Sequence, residues 1–276
     1  MAMITSLSTW LRSNEHTLAK SGIDTARLDC LVLLENELAI NRAKLLANQH
    51  EILLTTKQIN RLAKQVKRRA THEPLAYIRG KTEFYGHEFF VSKDTLEPRP
   101  ESEDMIAILQ SLSGIRDNDH LVDVGTGSAA LAICSQLVLP NIQVSATEIS
   151  QKAITIAEKN VARYNLHIPI LHGNLLDPLS TPPDVILANL PYVPNSHTIN
   201  KAAMQEPAIA IFGGDDGLDV YREMFSQMSH RKWRPIYILT ESLPPQHRNL
   251  ETIANAHGYQ QTKEADFIQL FEPTTD

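Results

Sequence analysis

The stretch "LVDVGTGSAALAI" (residues 121–133) decides the fold of this 276-residue chain. It begins as an apolar strand, turns on Gly125 and Gly127, and continues as an apolar helix. Glycines at such a turn let a ligand approach the backbone, and the start of the helix offers unpaired N–H groups. Glu148 ends the next predicted strand, where a carboxylate can accept hydrogen bonds from ribose hydroxyls. These residues predict a nucleoside-binding crevice.

Strand-like and helical segments alternate around this turn. The apolar runs lie at 120–125, 142–148, 169–173, 184–189, 235–241 and 266–271, and the helix-like stretches at 128–138, 150–164 and 245–257. This alternation is typical of an α/β fold with a parallel sheet and crossover helices. The glycine spacing also matches dinucleotide-binding dehydrogenases. That interpretation is the weakest, because no substrate domain with a His or Lys for hydride transfer is evident.

The first 75 residues have a different pattern, with apolar residues at helical spacing in 26–39 and 55–70. Thr55 is a candidate helix cap. The polar face of the second helix carries Lys57, Arg61, Lys64 and Arg68, which fits either a solvated side or a docking surface. Residues 1–75 hold 11 basic and 7 acidic side chains, whereas the remainder holds 15 basic and 25 acidic ones. We predict a helical domain at 1–75, a β-hairpin linker at 76–95 and a catalytic domain at 96–276.

Composition excludes several classes of protein. Hydrophobic residues make up 42% and charged residues 21%, as in an ordinary globular chain. No apolar run reaches the ~20 residues of a membrane span, and the first residues lack a secretory signal. Cys30 and Cys134 lie far apart without metal-ligand spacing, so we expect no metal and a reducing, cytoplasmic location.

A second stretch, "ILANLPYVPN" (186–195), predicts a substrate site. If 184–189 is a strand, Asn189 lies at its carboxyl end, beside the Gly125 turn. Pro191 stiffens the chain, so the Asn189 side-chain oxygen and the Leu190 carbonyl can both accept from one –NH2 group. Tyr192 offers a flat face for a planar amide or base. Alone, the motif also fits an ordinary turn.

Together these motifs resemble the HemK/PrmC family, the protein-(glutamine-N5) methyltransferases of peptide chain release factors. "EPLAYIRGKTEFYGHEFFV" and "EPRPESE" look like the family's hairpin linker and the entry to its catalytic domain. "DVGTGSAALAI" looks like its S-adenosylmethionine loop, "NLPY" corresponds to its Asn-Pro-Pro-Tyr, and "QEPAIAIFGGDDGLDVYR" is similar to the segment that follows. The resemblance covers nearly the whole chain.

The resemblance implies a Rossmann-like class I methyltransferase fold of seven strands, with a small N-terminal domain that recognises the release factor. It implies methyl transfer from S-adenosyl-L-methionine to the glutamine of a Gly-Gly-Gln loop, by a monomer without a direct nucleic-acid substrate. The cofactor residues would be Gly125, Thr126, Gly127, Ser128, Ala129, Glu148, Asn174, Leu175 and Asn189. Asn189, Leu190, Pro191 and Tyr192 would hold the glutamine amide, with Leu96 in the pocket wall.

Several positions depart from the family pattern and keep two alternatives open. Leu190 replaces a proline, Ala129 replaces a glycine and is expected to crowd the cofactor loop, and Asn174 stands where aspartate is typical. The tail also lacks the usual glycine and arginine of the final hairpin. One alternative is a methyltransferase of adenine amines in RNA or DNA, although the acidic body would repel phosphates. The other is a catalytically impaired relative that only binds the cofactor.

Overall fold

The computed structural model describes residues 5–274 and divides into two compact units. One unit contains the residues up to 80 together with 200–205, and the other contains 81–199 and the residues from 206 onward. Residues 1–4 and 275–276, at the ends of two predicted domains, lie outside the described residues. The predicted domain limits at 75/76 and 95/96 stay a prediction.

The first unit is helical, as its periodicity predicts. Its helices and short strands are α1 (Leu7–Lys20), α2 (Ala26–Leu38), α3 (Arg42–Ala47), α4 (Thr56–Ala70), α5 (Leu75–Arg79), β1 (Thr5–Ser6) and β2 (Leu53–Leu54). Thr55 caps α4, because its hydroxyl accepts from the Gln58 N–H while the Gln58 side chain accepts from the Thr55 N–H. Buried leucines from α1, α2 and α4 fill the core between the helices.

The basic face of α4 is partly neutralised within this unit. Arg61 pairs with Glu37, and Arg68 pairs with Glu73 at 2.5 Å. Lys57 and Lys64 remain exposed. The face therefore carries less net charge than the sequence alone suggests.

The second unit begins with a two-stranded hairpin. β3 (Lys81–Phe84) pairs with β4 (His87–Phe90) across Tyr85 and Gly86, both of which have positive φ. The hairpin is shorter than the sequence predicts, because the preceding residues form α5, which ends at Gly80 in the left-handed conformation. Gly80 therefore closes a helix and is not part of the hairpin.

The remainder of this unit is a seven-stranded sheet flanked by helices, in the order β10-β11-β9-β8-β5-β6-β7. The strands are β5 (His120–Val124), β6 (Gln143–Glu148), β7 (Ile170–His172), β8 (Val185–Ala188), β9 (Tyr237–Glu241), β10 (Tyr259–Ala265) and β11 (Ile268–Pro273). The helices are α6 (Glu103–Ser111), α7 (Ala130–Val138), α8 (Gln151–Arg163), α9 (Asp219–Arg231) and α10 (His247–Ala256). All six apolar runs identified in the sequence form strands.

Alternation of side chains divides the core between the two faces of the sheet. On β8, Val185 and Leu187 pack into one cluster and Ile186 and Ala188 into the other. β5 to β9 are parallel, and β11 is antiparallel to β9. In the sheet, β5 lies between β6, which follows it in the chain, and β8. The strand order reverses at β5, so a crevice opens at the carboxyl ends of these strands. No helix in residues 5–274 is long and apolar enough to cross a bilayer.

Candidate active site

A cavity of about 250 Å³ lies at the carboxyl ends of β5, β6 and β8. Its wall contains nine residues that the sequence indicated, namely Leu96, Gly125, Gly127, Glu148, Asn174, Leu175, Asn189, Leu190 and Pro191. The glycine turn and the Asn189 corner therefore face the same space, as the sequence predicts. Two exposed isoleucines, Ile149 and Ile209, add apolar surface to this wall.

Glu148 is held in one orientation by the backbone. One of its carboxylate oxygens accepts from the Gly127 N–H at 2.9 Å and the other from the Ser150 N–H at 2.8 Å. Each oxygen keeps a further lone pair, and the residue lines the cavity. This geometry suits the recognition of a pair of vicinal hydroxyl groups.

Asp123, which the sequence analysis did not single out, stabilises the glycine loop by hydrogen bonds. One carboxylate oxygen accepts from the Thr126 hydroxyl at 2.5 Å and from the Ala132 N–H at 3.0 Å. Burial raises the pKa of Asp123 to about 6, against the lowering effect of these two hydrogen bonds. The position just before the loop was the available signal for this role.

Ala129, which was expected to crowd the cofactor loop, is absent from the walls of the two neighbouring cavities. It adopts a left-handed conformation with φ 63°, is fully buried, and packs its methyl group into the core beside α7. Thr126 and Ser128 line a smaller neighbouring cavity of about 60 Å³ together with Leu96 and Asn189. The loop residues therefore divide between the two cavities and the core.

Asn160 of α8 ties the hairpin to the glycine loop. Its side-chain amide donates to the carbonyls of Phe90 at 2.9 Å and Ser128 at 2.8 Å, and accepts from the Phe90 N–H at 2.7 Å. Asn160 is fully buried, so these bonds satisfy groups that water does not reach. The sequence offered no motif that marked this residue.

The orientation of the Asn189 amide follows from its neighbours. Its nitrogen donates to the Ser102 hydroxyl and to one carboxylate oxygen of Glu241, each at 2.9 Å. An ionised carboxylate only accepts hydrogen bonds, so the amide nitrogen must face Glu241. Because Asn189 lines the cavity and its nitrogen is bound to Ser102 and Glu241, we infer that its side-chain oxygen is the atom offered to the cavity.

Leu190 is anchored at both its N–H and its side chain. The N–H donates to the Tyr221 hydroxyl at 3.2 Å, and the side chain is 2% exposed. The Tyr221 hydroxyl also lies 3.0 Å from the Ala188 carbonyl and 2.5 Å from the Glu241 carbonyl, and so links the ends of β8 and β9. Among residues 5–274 we find no hydrogen-bond donor to the Leu190 carbonyl.

Tyr192 makes a contact that the sequence did not indicate. Its hydroxyl donates to the second carboxylate oxygen of Glu241 at 2.9 Å, and the residue is outside the wall of the main cavity. Burial and the nearby Glu241 charge raise the pKa of Tyr192. In this conformation Tyr192 supports the corner from behind.

Two glycines of "FGGDDG" allow the following loop to pack on this corner. A side chain on Gly213 would collide with the Pro191 carbonyl, and one on Gly217 would collide with the Tyr192 carbonyl. Gln246 bridges the same region by donating to the Tyr192 carbonyl at 2.8 Å. These contacts explain why a glycine-rich segment follows the Asn-Leu-Pro-Tyr turn.

"EPRPESE" (97–103) connects several parts of the unit. Arg99 pairs with Glu206 of the "QEPAIAIF" segment at 2.5 Å, and burial raises the pKa of Glu206 to about 7 although Arg99 opposes that shift. Glu103 accepts from the Tyr85 N–H at 2.7 Å, which fixes the hairpin turn. These side-chain contacts give the motif a structural function.

Ser102 and Glu241 are two further site residues, besides Asp123 and Asn160, that sequence reasoning missed. Glu241 ends β9, so a carboxylate at the carboxyl end of a predicted strand was the available signal. Ser102 lies inside "EPRPESE" and carried no separate signal. Among the described residues there is no cluster suited to a metal ion.

Comparison with known proteins assigns the family. Residues 9–80 match the PrmC N-terminal domain and residues 104–207 match the methyltransferase small domain. The release factor glutamine methyltransferase of Deinococcus radiodurans is 32% identical over 76% of this chain and 76% of its own length. The relative from Moorella thermoacetica is 36% identical over 74% of each chain. The chain belongs to the release factor glutamine methyltransferase family.

Some relatives are longer than this chain. A bifunctional methyltransferase of Rickettsia typhi is 34% identical over 76% of this chain, which spans 45% of that longer protein. Solved structures support the fold of the family member as a class I methyltransferase. The 16S rRNA methyltransferase RsmC of T. thermophilus aligns with TM-score 0.51 and 20% identity, covering 71% of this chain and 50% of that one. The hMettl16 catalytic domain, solved with an RNA hairpin, aligns with TM-score 0.53 and 16% identity. The alignment covers 79% of this chain and 82% of that one.

Proposed function

We propose that this chain transfers a methyl group from S-adenosyl-L-methionine to the side-chain amide nitrogen of the glutamine in the Gly-Gly-Gln loop of a peptide chain release factor. The observation that carries the proposal is the pair of acceptors at the Asn189 corner, on one wall with the glycine loop and Glu148. The family membership supports the same activity.

The residues present fit the cofactor. Among the described residues no atom lies within 4 Å of the position where a Gly127 side chain would begin, so that side of the loop is open. Glu148 has a lone pair left on each carboxylate oxygen for the ribose. Gly125, Thr126, Gly127, Ser128 and Ala129 would hold the methionine end, with Asn174 and Leu175 at the adenine. The bound cofactor supplies the electrophilic methyl group.

The chemistry of the protein is to position the substrate amide. An amide nitrogen is a weak nucleophile because its lone pair is shared with the carbonyl. The Asn189 side-chain oxygen and the Leu190 carbonyl accept from the two N–H groups of the glutamine, so its nitrogen is held with one orientation. Both acceptors strengthen their bonds as positive charge develops on that nitrogen, which lowers the barrier. Leu96, Pro191 and Tyr192 complete the proposed substrate site.

Methylation of a purified release factor tests the proposal. The chain is incubated with methyl-labelled cofactor and either the release factor or a variant whose Gly-Gly-Gln glutamine is alanine, and the label is located by peptide mass. We expect label on that glutamine and none on the alanine variant. Label on ribosomal RNA or DNA instead would favour the adenine-amine alternative. Cofactor binding without transfer to any substrate would favour the impaired relative.

The helical residues 1–75 are proposed to recognise the release factor, with the protein acting as a monomer in the cytoplasm, where translation factors work. The exposed Lys57 and Lys64 on α4 suit an acidic partner surface. A chain beginning at residue 81 would then bind the cofactor but lose affinity for the release factor. Size-exclusion chromatography with light scattering measures the assembly state, and a dimer would contradict the monomer proposal.

A further inference from the structure

Glu241 is a buried carboxylate to which the proposed reaction assigns no step. It lies at the end of β9 and is 1% exposed. One oxygen accepts from Ser102 at 2.5 Å and from Asn189 at 2.9 Å, and the other accepts from Tyr192 at 2.9 Å. Three donors thus converge on one carboxylate, and within residues 5–274 no Lys, Arg or His forms an ion pair with it.

Burying this charge has an energetic cost. A buried carboxylate without a cation beside it destabilises a fold even when hydrogen bonds satisfy it. Burial raises the pKa of Glu241, whereas its bonds from Ser102, Tyr192 and Asn189 lower it and Glu101 adds to the rise. A neutral glutamine would fill the same space with less penalty, so a structural role alone does not explain the carboxylate.

The charge lies on the far side of Asn189 from the cavity. An amide that donates to an anion moves electron density to its own oxygen, because hydrogen bonds in series polarise one another. The Asn189 oxygen faces the cavity and would receive that density. Ser102 helps to fix one orientation of the Asn189 amide, since its hydroxyl donates to Glu241 and accepts from Asn189.

We propose that Glu241 is a positioning residue that acts through Asn189, fixing the amide with its oxygen toward the cavity and increasing the negative charge on that oxygen. This inference rests on the proposed function, because the polarised oxygen matters where it receives a substrate –NH2 group. In this role Glu241 acts as the carboxylate anion and transfers no proton. Its effect belongs to the transition state, since the substrate nitrogen gains positive charge there.

Glu241→Gln separates this role from a structural one. Glutamine can keep one oxygen facing Ser102 and Asn189 while its –NH2 donates to the Tyr192 oxygen, so the corner can persist without the charge. We expect kcat to fall by about tenfold or more, with unchanged affinity for cofactor and release factor. Glu158→Gln on the exposed side of α8 removes a carboxylate without a contact in the described residues and should match the wild type. A wild-type kcat in Glu241→Gln, or a loss confined to binding, would overturn the proposal.

The pH profile gives a second readout. At saturating cofactor, the wild-type rate should fall on the acid side as Glu241 takes up a proton, and Glu241→Gln should lack that fall. The titratable groups facing Glu241 are Tyr192 from the corner, Tyr221 from α9 and Glu101 from the turn before α6. Glu101→Gln should leave the acid limb in place. An acid limb that survives in Glu241→Gln would assign it to another group and contradict the proposal.

A third measurement does not depend on turnover and so separates failure of this inference from failure of the proposed function. In ¹⁵N-labelled protein, the Asn189 side-chain –NH2 signals, identified by their loss in Asn189→Ala, should shift with pH in the wild type and stay constant in Glu241→Gln. If the wild type methylates no release factor but this shift appears, the proposed substrate is wrong and the Glu241–Asn189 coupling holds. If the signals do not respond to Glu241, the coupling is absent.

Discussion

Cδ2 of Leu190 lies 3.1 Å from the position that a Cβ on Gly125 would occupy, so the substrate corner and the cofactor loop are in direct contact. Gly125 also has φ 71°, a conformation that disfavours side chains. A change on either side of this contact is therefore transmitted to the other. The sizes of residues 125 and 190 therefore set the distance between the cofactor loop and the substrate corner.

Gly125→Ala should weaken cofactor binding by about tenfold. The left-handed conformation costs a non-glycine residue roughly 1–2 kcal/mol, and the added methyl group presses on Leu190. Calorimetric titration with cofactor measures the effect. Gly86→Ala is the matched control, because Gly86 has φ 72° with open space around it in the hairpin turn. Equal losses of affinity in both variants would show that the Leu190 contact is irrelevant.

Leu190→Pro should retain activity. The substitution removes the N–H that donates to Tyr221 but keeps the carbonyl that is proposed to bind substrate. We expect the free energy of unfolding to fall by about 1 kcal/mol and kcat to stay within about fivefold of wild type. Chemical denaturation and steady-state kinetics measure the two quantities. An inactive but folded Leu190→Pro would mean that the leucine side chain or its N–H, and not the carbonyl, is what the site needs.

Asn160→Ala should lower both stability and cofactor affinity. It leaves the Phe90 N–H and the Phe90 and Ser128 carbonyls without their buried partner. Unsatisfied buried groups cost about 1–3 kcal/mol each, so we expect a loss of about 3 kcal/mol in the free energy of unfolding and weaker cofactor binding. Thr155→Ala, on the exposed side of the same helix, is the control. Unchanged cofactor affinity would show that the hairpin and the glycine loop are not coupled through Asn160.

Asp123 predicts a specific pH dependence of stability. Its pKa is raised to about 6 in the folded protein from 3.8, so the folded state holds the proton more tightly than the unfolded state. The resulting stability is fully present below pH 3.8 and is lost as the pH rises through about 6. Asp123→Asn can keep the bonds from Thr126 and Ala132 to a single oxygen without titrating.

The stability of the wild type relative to Asp123→Asn should therefore fall by about 2 kcal/mol between pH 4 and pH 7. Denaturant titrations of both proteins across this range measure the difference. A difference that is constant with pH would contradict the raised pKa. A wild type that gains stability over the variant with rising pH would mean that the carboxylate is stabilised by its two hydrogen bonds more than it is penalised by burial.

The fold could be predicted from the sequence because its signals are local. Apolar runs mark six of the seven strands of the sheet, whereas β10 (Tyr259–Ala265) is largely polar and was not predicted. Gly125, Gly127 and Glu148 stand at strand ends where the topology brings them together. The short helix α5 was missed because Pro74 and Gly80 bound a segment of only five residues, too short for a periodic pattern.

Only part of the candidate site could be predicted from the sequence, because its other residues meet through long-range contacts. Residues that line the cavity follow directly from strand ends, whereas Ser102, Asn160 and Glu241 act through contacts that span 32 to 139 positions of sequence. No spacing rule predicts which buried polar groups meet across such distances. The contact between Tyr192 and Glu241 could not be predicted for the same reason, since the two residues lie 49 positions apart.

The central claim is that the Asn189 oxygen holds the amide that is methylated. Its most direct test is the rate of methyl transfer to the release factor glutamine by Asn189→Ala at saturating cofactor and substrate, with cofactor affinity measured on the same preparation. We expect a loss of about 10²-fold or more in kcat while the cofactor still binds. Wild-type turnover by a folded, cofactor-binding Asn189→Ala would contradict it.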